Sequence, residues 1–371
     1  MIPDPNQWYR IANPDEVNSP ALLVYPERIE ENINRMIASV KDKSLLWPHV
    51  KTHKMPEVVS MMIRQGIKRF KCATISEAEM AAGCGPDEIF LAYQPVGPNI
   101  KRFFMLQEKY HGIAFSCLVD NEEIAQRLSE MSVASGLPVR VWIDINNGMN
   151  RTGIAPGQKA VHLFRSLKRL PGLDPRGLHV YDGHLHESDF TIRNRMSDEA
   201  FSTVKAMIDE LRAEGHELRI IAGGTPTFNI HAAREGVGVS PGTVSLWDYG
   251  YSSSFADLQF LHAAVLFSRV VSKPAEGLVC IDLGTKAVAS EMPHPRIKIL
   301  GMEDYGFLTH NEEHLVISHG KDVQLNIGDI LYCIPYHVCP TVDRYNKVYV
   351  AENGMVTGEW EVVGRQRKIT I

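Results

Sequence analysis

The sequence predicts a (β/α)8 barrel followed by a second domain built of β-strands. Over the first two thirds of the chain, short apolar runs rich in β-branched and aromatic residues alternate with amphipathic stretches, as in βα units around a parallel sheet. Eight such runs are present, and eight repeats favour a closed barrel over an open, doubly wound sheet, which is the alternative. After about Phe255, strand-like alternation replaces the helical periods.

The eight strand candidates are residues 45–50, 70–74, 89–93, 115–119, 139–146, 177–182, 218–222 and 244–249. The helical periods between or before them are residues 26–40, 76–82, 122–135, 158–170 and 198–214. We therefore expect an N-terminal segment (1–19) that packs on the β domain, a barrel of residues 20–255 and a β domain of residues 256–371. The strand candidates of the β domain are residues 263–271, 278–283, 315–317 and 347–350.

The composition is that of an ordinary globular protein of two domains, with 371 residues, 44% of them hydrophobic and 22% charged. A formal net charge of -5 offers no basic surface for nucleic acid, so a small molecule is the expected partner. No apolar run reaches membrane-spanning length and no secretion signal is visible, so we expect no membrane association. The six cysteines have no paired spacing, which indicates reduced thiols and a cytoplasmic protein.

His337 and Cys339 form the first motif whose side chains can bind a metal, in the run Pro-Tyr-His-Val-Cys-Pro-Thr. Residues i and i+2 on an extended backbone project to the same side, and imidazole and thiolate are both good zinc ligands. Two ligands do not complete a four-coordinate site, so a buried cysteine beside a hydrogen-bonded histidine is the alternative.

The second motif is the run Pro-His-Val-Lys-Thr-His-Lys at residues 48–54. A lysine that is partly desolvated among histidines can condense with an aldehyde, as Schiff-base lysines do. A solvated rim that steers phosphate is the alternative. Taken with the possible metal pair, this motif indicates a carbonyl cofactor and a metal that act on one substrate.

The two motifs, in this order, resemble those of the D-threonine aldolase and D-serine dehydratase family, and the resemblance covers nearly the whole chain. Members are fold-type III pyridoxal phosphate (PLP) enzymes with an alanine-racemase-like barrel, and are usually homodimers. The resemblance implies that this chain is a PLP-dependent lyase in which Lys51 holds the cofactor, with Lys54 as second choice. Trp47 departs from the pattern, since an arginine is common there, and its ring can alter the substrate or the setting of Lys51.

Two glycine-containing loops, one after the seventh strand candidate and one before the eighth, form a candidate phosphate site. They contain Gly223, Gly224 and Thr225, and Gly242 and Thr243. Glycine lets backbone N–H groups approach a phosphate closely, and threonine adds a hydroxyl. One such loop is usually only a turn, but two beside late barrel strands match a recurrent phosphate site of barrels.

Two more cofactor residues follow from the resemblance. Arg151, in the run Asp-Ile-Asn-Asn-Gly-Met-Asn-Arg-Thr-Gly, matches an arginine near the phenolic oxygen of the cofactor. Tyr181 matches a tyrosine that approaches the pyridine nitrogen. The alternatives are a solvated surface arginine and a core tyrosine with its hydroxyl at the rim.

The resemblance also implies a β-hydroxy-D-amino acid as the substrate. In this family, His-x-Cys resembles the motif of the zinc-dependent dehydratases, which release a keto acid and ammonia. His-x-Asp resembles the motif of the aldolases, which release glycine and an aldehyde. Since thiolate is a soft ligand, we expect zinc rather than Mn²⁺ or Mg²⁺, and a D-serine dehydratase-like reaction with Lys51 and His337 as catalytic residues. D-serine, D-threonine and 3-hydroxy-D-aspartate all remain candidate substrates.

Two other functions remain open at this point. A PLP-binding carrier protein shares the barrel but needs neither a second domain nor a metal, so His337 and Cys339 favour catalysis. A racemase would need a second acid–base residue, for which Tyr336 or Tyr345 is the candidate. The run Asn-Glu-Glu-His at residues 311–314 also resembles a family segment, and is a candidate for support of the metal ligands.

Overall fold

The structure is a computed structural model and describes residues 7–371. The first six residues of the predicted N-terminal segment (1–19) lie outside the described part. The chain divides into two compact units. The α/β unit consists of Asn34–Lys51, Pro56–Gly242 and Val363–Ile371. The β unit consists of residues 7–33, Thr52–Met55 and Thr243–Val362.

The α-helices of residues 7–371 are α1 (Pro26–Ala38), α2 (Pro56–Arg64), α3 (Ile75–Ala82), α4 (Pro98–Lys109), α5 (Glu122–Ser135), α6 (Gln158–Leu167), α7 (Phe190–Ala213), α8 (Phe228–Ala232), α9 (Tyr249–Ser254) and α10 (Val338–Val342). The strands are β1 (Ala21–Val24), β2 (Arg69–Cys72), β3 (Glu88–Leu91), β4 (Ala114–Val119), β5 (Val139–Ile145), β6 (Leu173–Val180), β7 (Arg219–Ala222), β8 (Val237–Val239), β9 (Ala264–Ala275), β10 (Leu278–Ile281), β11 (Ile297–Ile299), β12 (Tyr305–His310), β13 (Leu315–His319), β14 (Ile330–Pro335), β15 (Lys347–Glu352) and β16 (Met355–Glu361). No helix in this part of the chain is long and apolar enough to cross a membrane.

The sheet of the α/β unit contains β2 to β8, hydrogen-bonded in sequence order and all parallel. Residues 46–49 bridge both of its edges, since Leu46 forms a parallel bridge with Val239 of β8 and His49 forms one with Lys71 of β2. The predicted parallel sheet is therefore confirmed as a seven-stranded half-barrel. Its ordered βα repeats bring the carboxyl ends of all seven strands to the same edge.

An aromatic cluster lies inside the α/β unit and includes the unusual Trp47. This ring is 6.0 Å from Trp142 and 6.2 Å from Phe90, centroid to centroid, and both contacts are edge-on. Leu118 and Ile221 complete the buried cluster. Trp47 is 2% exposed, so the residue before the Pro-His-Val-Lys run serves here as core.

One of the eight strand predictions is wrong, and a second is met only by isolated bridges. Residues 244–249 do not form a strand: Thr243–Ser245 is a 3-10 turn and α9 begins at Tyr249. Trp247 has a φ of 51°, which no extended strand accommodates. The last parallel strand is β8, three residues long. Residues 45–50 form only the two bridges at Leu46 and His49, and 3-10 turns flank them.

The β unit contains a mixed sheet, which confirms the β domain predicted toward the C-terminus. Its strands follow the order β12-β13-β10-β9-β1-β15-β16, and β14 pairs with β9 and β11. The long β9 is antiparallel to β1, whereas β1 is parallel to β15. Leu23, Phe267 and Tyr332 belong to the buried cluster of this sheet. The strand β1, which precedes the α/β unit in the chain, is thus part of the mixed sheet.

Candidate active site

A cavity of about 470 Å3 lies in the α/β unit, and residues at or just beyond the ends of several parallel strands line it. Lys51, Arg151 and Tyr181 are all among them, so the structure brings these three predicted residues together. Lys51 is half-buried within the 3-10 turn Val50–Thr52. Lys54, the second choice for the cofactor lysine, belongs to the β unit and forms an ion pair of 3.4 Å with Asp343.

Arg151 and Tyr181 contact each other within this cavity. The guanidinium carbon of Arg151 lies 4.9 Å from the centre of the Tyr181 ring, within cation–π range. Tyr181 directly follows β6, and its ring is parallel to that of His179, at 6.5 Å between centroids. The loop that carries Arg151 is held by the backbone N–H of Gly153, which donates to Asp120 at 3.2 Å.

A buried polar network lies at the same cavity, and the sequence did not predict it. The Nζ atom of Lys71 is 2.8 Å from Nε2 of His179, whose Nδ1 is 2.7 Å from Asp144. Thr152 donates to the other oxygen of Asp144 at 2.8 Å. A lysine within a strand gave no signal, because its sequence pattern does not distinguish a buried lysine from a solvated one.

The electrostatics of the network differ sharply from those of free side chains. Burial, reinforced by the nearby Lys51 and Arg151 cations, lowers the pKa of Lys71 to about 7 against the pull of Asp144. Burial and the Lys71 charge lower the pKa of His179 to about 4. Burial acts to raise the pKa of Asp144, but hydrogen bonds from His179 and Thr152 hold it below its usual value. At neutral pH the histidine is therefore neutral and the carboxylate charged.

The first predicted phosphate loop allows little room for side chains. Gly223 has a φ of +74°, and its N–H donates to the carbonyl of Val180 at 2.9 Å. A Cβ atom on Gly224 would lie 2.7 Å from Cε2 of Tyr181, so glycine is required for this close approach. The Thr225 hydroxyl oxygen accepts the N–H of Gly242 at 3.1 Å, which joins the first loop to the second.

Asp182 supports this loop from the protein interior. Its two oxygens contact the Thr227 hydroxyl at 2.6 Å and Nε2 of His231 at 2.7 Å, and all three residues are buried. Burial acts to raise the pKa of Asp182, but the hydrogen bonds from His231 and Thr227 keep it below its usual value. The loop is thus anchored by a buried carboxylate.

The α/β unit fits PLP on three features of its own residues. The cavity holds an amine at Lys51 for an aldehyde, a cation at Arg151 and an aromatic face at Tyr181. The backbone leaves no space for a Cβ at Gly224, beside Tyr181, or at Gly223, beside His231 and Thr227, as expected where a backbone must approach a ligand closely.

His337 and Cys339 lie in the β unit, at the start of the short helix α10. His337 is the N-cap of α10 and has the predicted extended backbone, whereas Cys339 lies within the helix and does not. The two side chains are nevertheless within hydrogen-bonding reach. The Cys339 sulfur is 3.2 Å from the Thr52 hydroxyl and 3.6 Å from that of Thr243. The role of Thr243 in phosphate binding stays a prediction.

Glu291 is the functional candidate that sequence reasoning missed at this pair. Its carboxylate lies 2.6 Å from Nδ1 of His337. Burial acts to lower the pKa of His337, but Cys339, Asp248 and Glu291 raise it to about 9. Asp248 also accepts the backbone N–H of Val338 at 3.0 Å, which fixes the start of α10.

The donor set of this pair, one imidazole and one thiol, fits zinc. No group of three or more His, Cys, Asp or Glu residues suited to a metal is found in residues 7–371.

The other candidates in the β unit are engaged elsewhere. Glu312 and Glu313 of the run at 311–314 both pair with Lys286, at 2.9 and 3.0 Å. The Tyr345 hydroxyl donates to the carbonyl of Ala287 at 2.7 Å, and the Tyr336 ring packs edge-on against Tyr249.

Comparisons with known proteins show the family of this chain. Residues 24–247 match the model of the alanine racemase N-terminal domain, and residues 263–351 match that of a putative serine dehydratase domain. The chain belongs to the alanine racemase N-terminal domain family, and its fold is alanine-racemase-like. The resemblance drawn from the two sequence motifs is confirmed.

Full-length relatives refine the class. The chain is 26% identical to a D-threonine aldolase of Arthrobacter sp. over 356 residues, which covers 94% of this chain and 93% of the relative. It is 23% identical to a D-threo-3-hydroxyaspartate dehydratase of Delftia sp., covering 88% and 92%. The crystal structure of D-threonine aldolase from Filomicrobium marinum superposes with a TM-score of 0.88 at 25% identity, covering 96% and 98%. The prediction of a PLP-dependent lyase is confirmed at this level, while zinc, the homodimer and the cytoplasmic location stay predictions.

Proposed function

We propose that this protein is a PLP- and zinc-dependent lyase that dehydrates a β-hydroxy-D-amino acid to a keto acid and ammonia. The observation that carries the choice of dehydration is the pairing of an imidazole with a thiol at His337 and Cys339. A thiolate ligand selects a soft or borderline ion such as zinc over magnesium or manganese.

Lys51 would hold the cofactor through its amine, and Arg151 and Tyr181 would flank the ring. Gly223, Gly224 and the residues joined to them would hold the phosphate. Bound PLP supplies an electron sink for the charge that develops when a bond to Cα breaks. Lys51 would also serve as the base that takes the α-proton of the substrate.

His337 and Cys339 would hold the zinc ion, which supplies a Lewis acid for the β-hydroxyl. Glu291 supports this assignment, because a carboxylate on Nδ1 leaves Nε2 of His337 to a metal. Asp248 anchors the backbone that carries both ligands.

Aldol cleavage to glycine and an aldehyde is the second candidate. It is favoured by the relatives, since a D-threonine aldolase matches at 26% identity and another has a solved structure with a TM-score of 0.88. The two reactions differ in the bond broken. Dehydration removes the α-proton and the hydroxyl, whereas aldol cleavage takes the hydroxyl proton and breaks Cα–Cβ.

The bridges at Leu46 and His49 support a further proposal about the fold. We infer that residues 46–49 act as the eighth strand and close the half-barrel, because they contact both of its edge strands. Closure would fix Lys51, two residues beyond His49, at the carboxyl edge of the barrel.

Product analysis tests the proposed reaction. Protein loaded with PLP and zinc is offered D-serine, D-threonine and 3-hydroxy-D-aspartate separately, and keto acid, ammonia, glycine and aldehyde are measured. Keto acid and ammonia that disappear in Cys339→Ala support the metal-assisted dehydratase. Release of glycine and an aldehyde would instead support the aldolase assignment. Cys84→Ala is the matched control, because Cys84 lies in the α/β unit and its thiol donates to the backbone carbonyls of Pro56 and Met80 there.

The cofactor lysine is tested independently of turnover. Borohydride reduction of the PLP-loaded protein, followed by peptide mass spectrometry, is expected to place the label on Lys51 and to find none in Lys51→Ala. PLP binding without turnover of any of the three substrates would favour the carrier protein. A label on Lys71 instead would overturn the assignment of Lys51.

A further inference from the structure

Lys71 is a buried lysine that the proposed function leaves without a role. It lies on β2, is 3% exposed, and lines the same cavity as Lys51. Buried lysines are rare unless they are paired. The two groups that hold its Nζ atom, the His179 ring and the Ser240 hydroxyl, carry no negative charge.

The hydrogen bonds around Lys71 have a defined direction. Asp144 is an acceptor only, so Nδ1 of His179 carries the ring proton and donates it, at 2.7 Å. Nε2 of the neutral ring is then bare and accepts from Lys71 at 2.8 Å. The Ser240 hydroxyl donates to the carbonyl of Gly223 at 2.9 Å and accepts from Lys71 at 3.0 Å.

Two of the three positions on the Lys71 nitrogen are therefore used as donors inside the protein. The third position holds either a proton or a lone pair. It is available to a ligand in the cavity that Lys71 lines. Nζ also lies 5.3 Å from the centre of the Tyr181 ring. An amine held in this way can gain or lose one proton without breaking its two internal hydrogen bonds.

The surrounding charges bring the protonation and deprotonation of the Lys71 amine close to neutral pH. The charged or titratable groups that act on Lys71 are Lys51, Asp144, Arg151, His179 and Asp182. Burial and the two cations outweigh the carboxylates, so the pKa of Lys71 is lowered to about 7. Such an amine is a useful base, unlike an ordinary lysine.

We infer that Lys71 is a second acid–base residue of the pocket, which accepts a proton from the ammonium group of the incoming D-amino acid. This inference rests on the proposed function and deepens it. One N–H bond of the substrate ammonium breaks, a new N–H bond forms on Nζ of Lys71, and the electron pair stays on the substrate nitrogen. Only the resulting neutral amine can attack a carbonyl carbon. His179 keeps its Nδ1 proton and Asp144 stays a carboxylate, and together they orient Lys71.

Two substitutions separate proton acceptance from positive charge. Lys71→Met removes the amine at similar length, and Lys71→Arg keeps a cation that cannot be deprotonated. Both are expected to lower kcat/KM by about 100-fold to 10,000-fold, the range for a lost general base. The fall in wild-type kcat/KM on the acid side, with a midpoint at about 7, should disappear in both. Lys68→Met is the matched control, because Lys68 is 65% exposed.

The direct readout is an NMR titration of the PLP-loaded protein labelled with ¹³C at the lysine ε-carbons. One lysine is expected to titrate at about 7, to vanish in Lys71→Met and to persist in Lys68→Met. Asp144→Asn should move its midpoint to lower pH, because the carboxylate stabilises the charged amine. Covalent PLP on Lys51, measured by mass, shows that each variant still forms the pocket.

The inference is overturned if no lysine titrates below about 9, near the ordinary lysine range. It is also overturned if Lys71→Arg is as active as the wild type, since charge alone would then suffice. Turnover with the same pH profile in Lys71→Met would remove this role and leave the lyase assignment intact. No turnover by the wild-type protein would remove both.

Discussion

The carboxylate of Glu291 lies 2.6 Å from Nδ1 of His337, 46 residues further along the chain. A carboxylate in this position holds the ring in one orientation and keeps its proton on Nδ1. A metal would take the place of the proton on Nε2, and Cys339 is within reach of the same ring. The pair at the start of α10 thus already has the outer support that metal-binding histidines usually have.

Glu291→Gln should weaken zinc binding by about 10-fold to 100-fold, because the amide no longer favours the metal-binding orientation and charge of His337. Competition with a chromophoric chelator measures this affinity without any substrate. Glu313→Gln is the control, since Glu313 pairs with Lys286. Equal zinc affinity in all three proteins would show that Glu291 is only a surface partner.

Gly224→Ala should displace the Tyr181 ring and weaken PLP binding. The added Cβ would lie 2.7 Å from Cε2 of Tyr181, closer than side-chain carbons approach one another, so the ring or the loop must move. PLP titration followed by absorbance is expected to show an affinity lower by about 10-fold, which corresponds to roughly 1.4 kcal/mol. Gly112→Ala is the matched control, because its Cβ meets no atom within 4 Å. Unchanged affinity in Gly224→Ala would mean that the ring does not contact the cofactor.

The elements with local signals could be predicted well from sequence. Residues 122–135 were predicted as a helix and α5 has those bounds, because Asn121 caps its start and Gly136 ends it in the left-handed conformation. The last parallel strand was misplaced for the opposite reason. Its three residues include Gly238 and give a weak signal, while the apolar run that contains Trp247 imitates a strand.

The site residues also differ in whether the sequence carries a local signal for them. Lys51, Arg151 and Tyr181 belong to continuous motifs, and the structure gathers them at one cavity. Lys71 and Glu291 have no motif around them, and their positions depend on contacts with His179 and His337, more than 40 residues away in sequence. Only tertiary packing gives such residues their surroundings.

Asp182→Asn should destabilise the α/β unit by about 3 to 5 kcal/mol, the usual cost of breaking a buried charged pair. The carboxylate is 1% exposed and serves both Thr227 and His231, so an amide satisfies one partner at best. Urea unfolding followed by fluorescence measures the change. Asp209→Asn removes an exposed partner of Lys205 and should have little effect. A similarly small effect in Asp182→Asn would contradict the anchoring role.

His53 should make the protein less stable as the pH falls below about 6.5. Burial lowers the pKa of this side chain to about 3, and its Nδ1 accepts the N–H of Met55 at 3.1 Å. Between pH 6.5 and 3 the unfolded chain therefore binds the proton and the folded chain does not. The free energy of unfolding then falls with decreasing pH by up to about 1.4 kcal/mol per pH unit from this group.

His53→Asn keeps an acceptor near the Nδ1 position but does not titrate in this range, so the slope should become shallower between about pH 6 and 4. Urea unfolding at a series of pH values measures both slopes. His162→Asn is the control and should leave the slope unchanged, because the His162 side chain is 67% exposed. Some slope should persist even in His53→Asn, since burial also lowers the pKa values of His179 and His262 to about 4. Parallel curves for the wild type and His53→Asn would show that His53 gains its proton without unfolding.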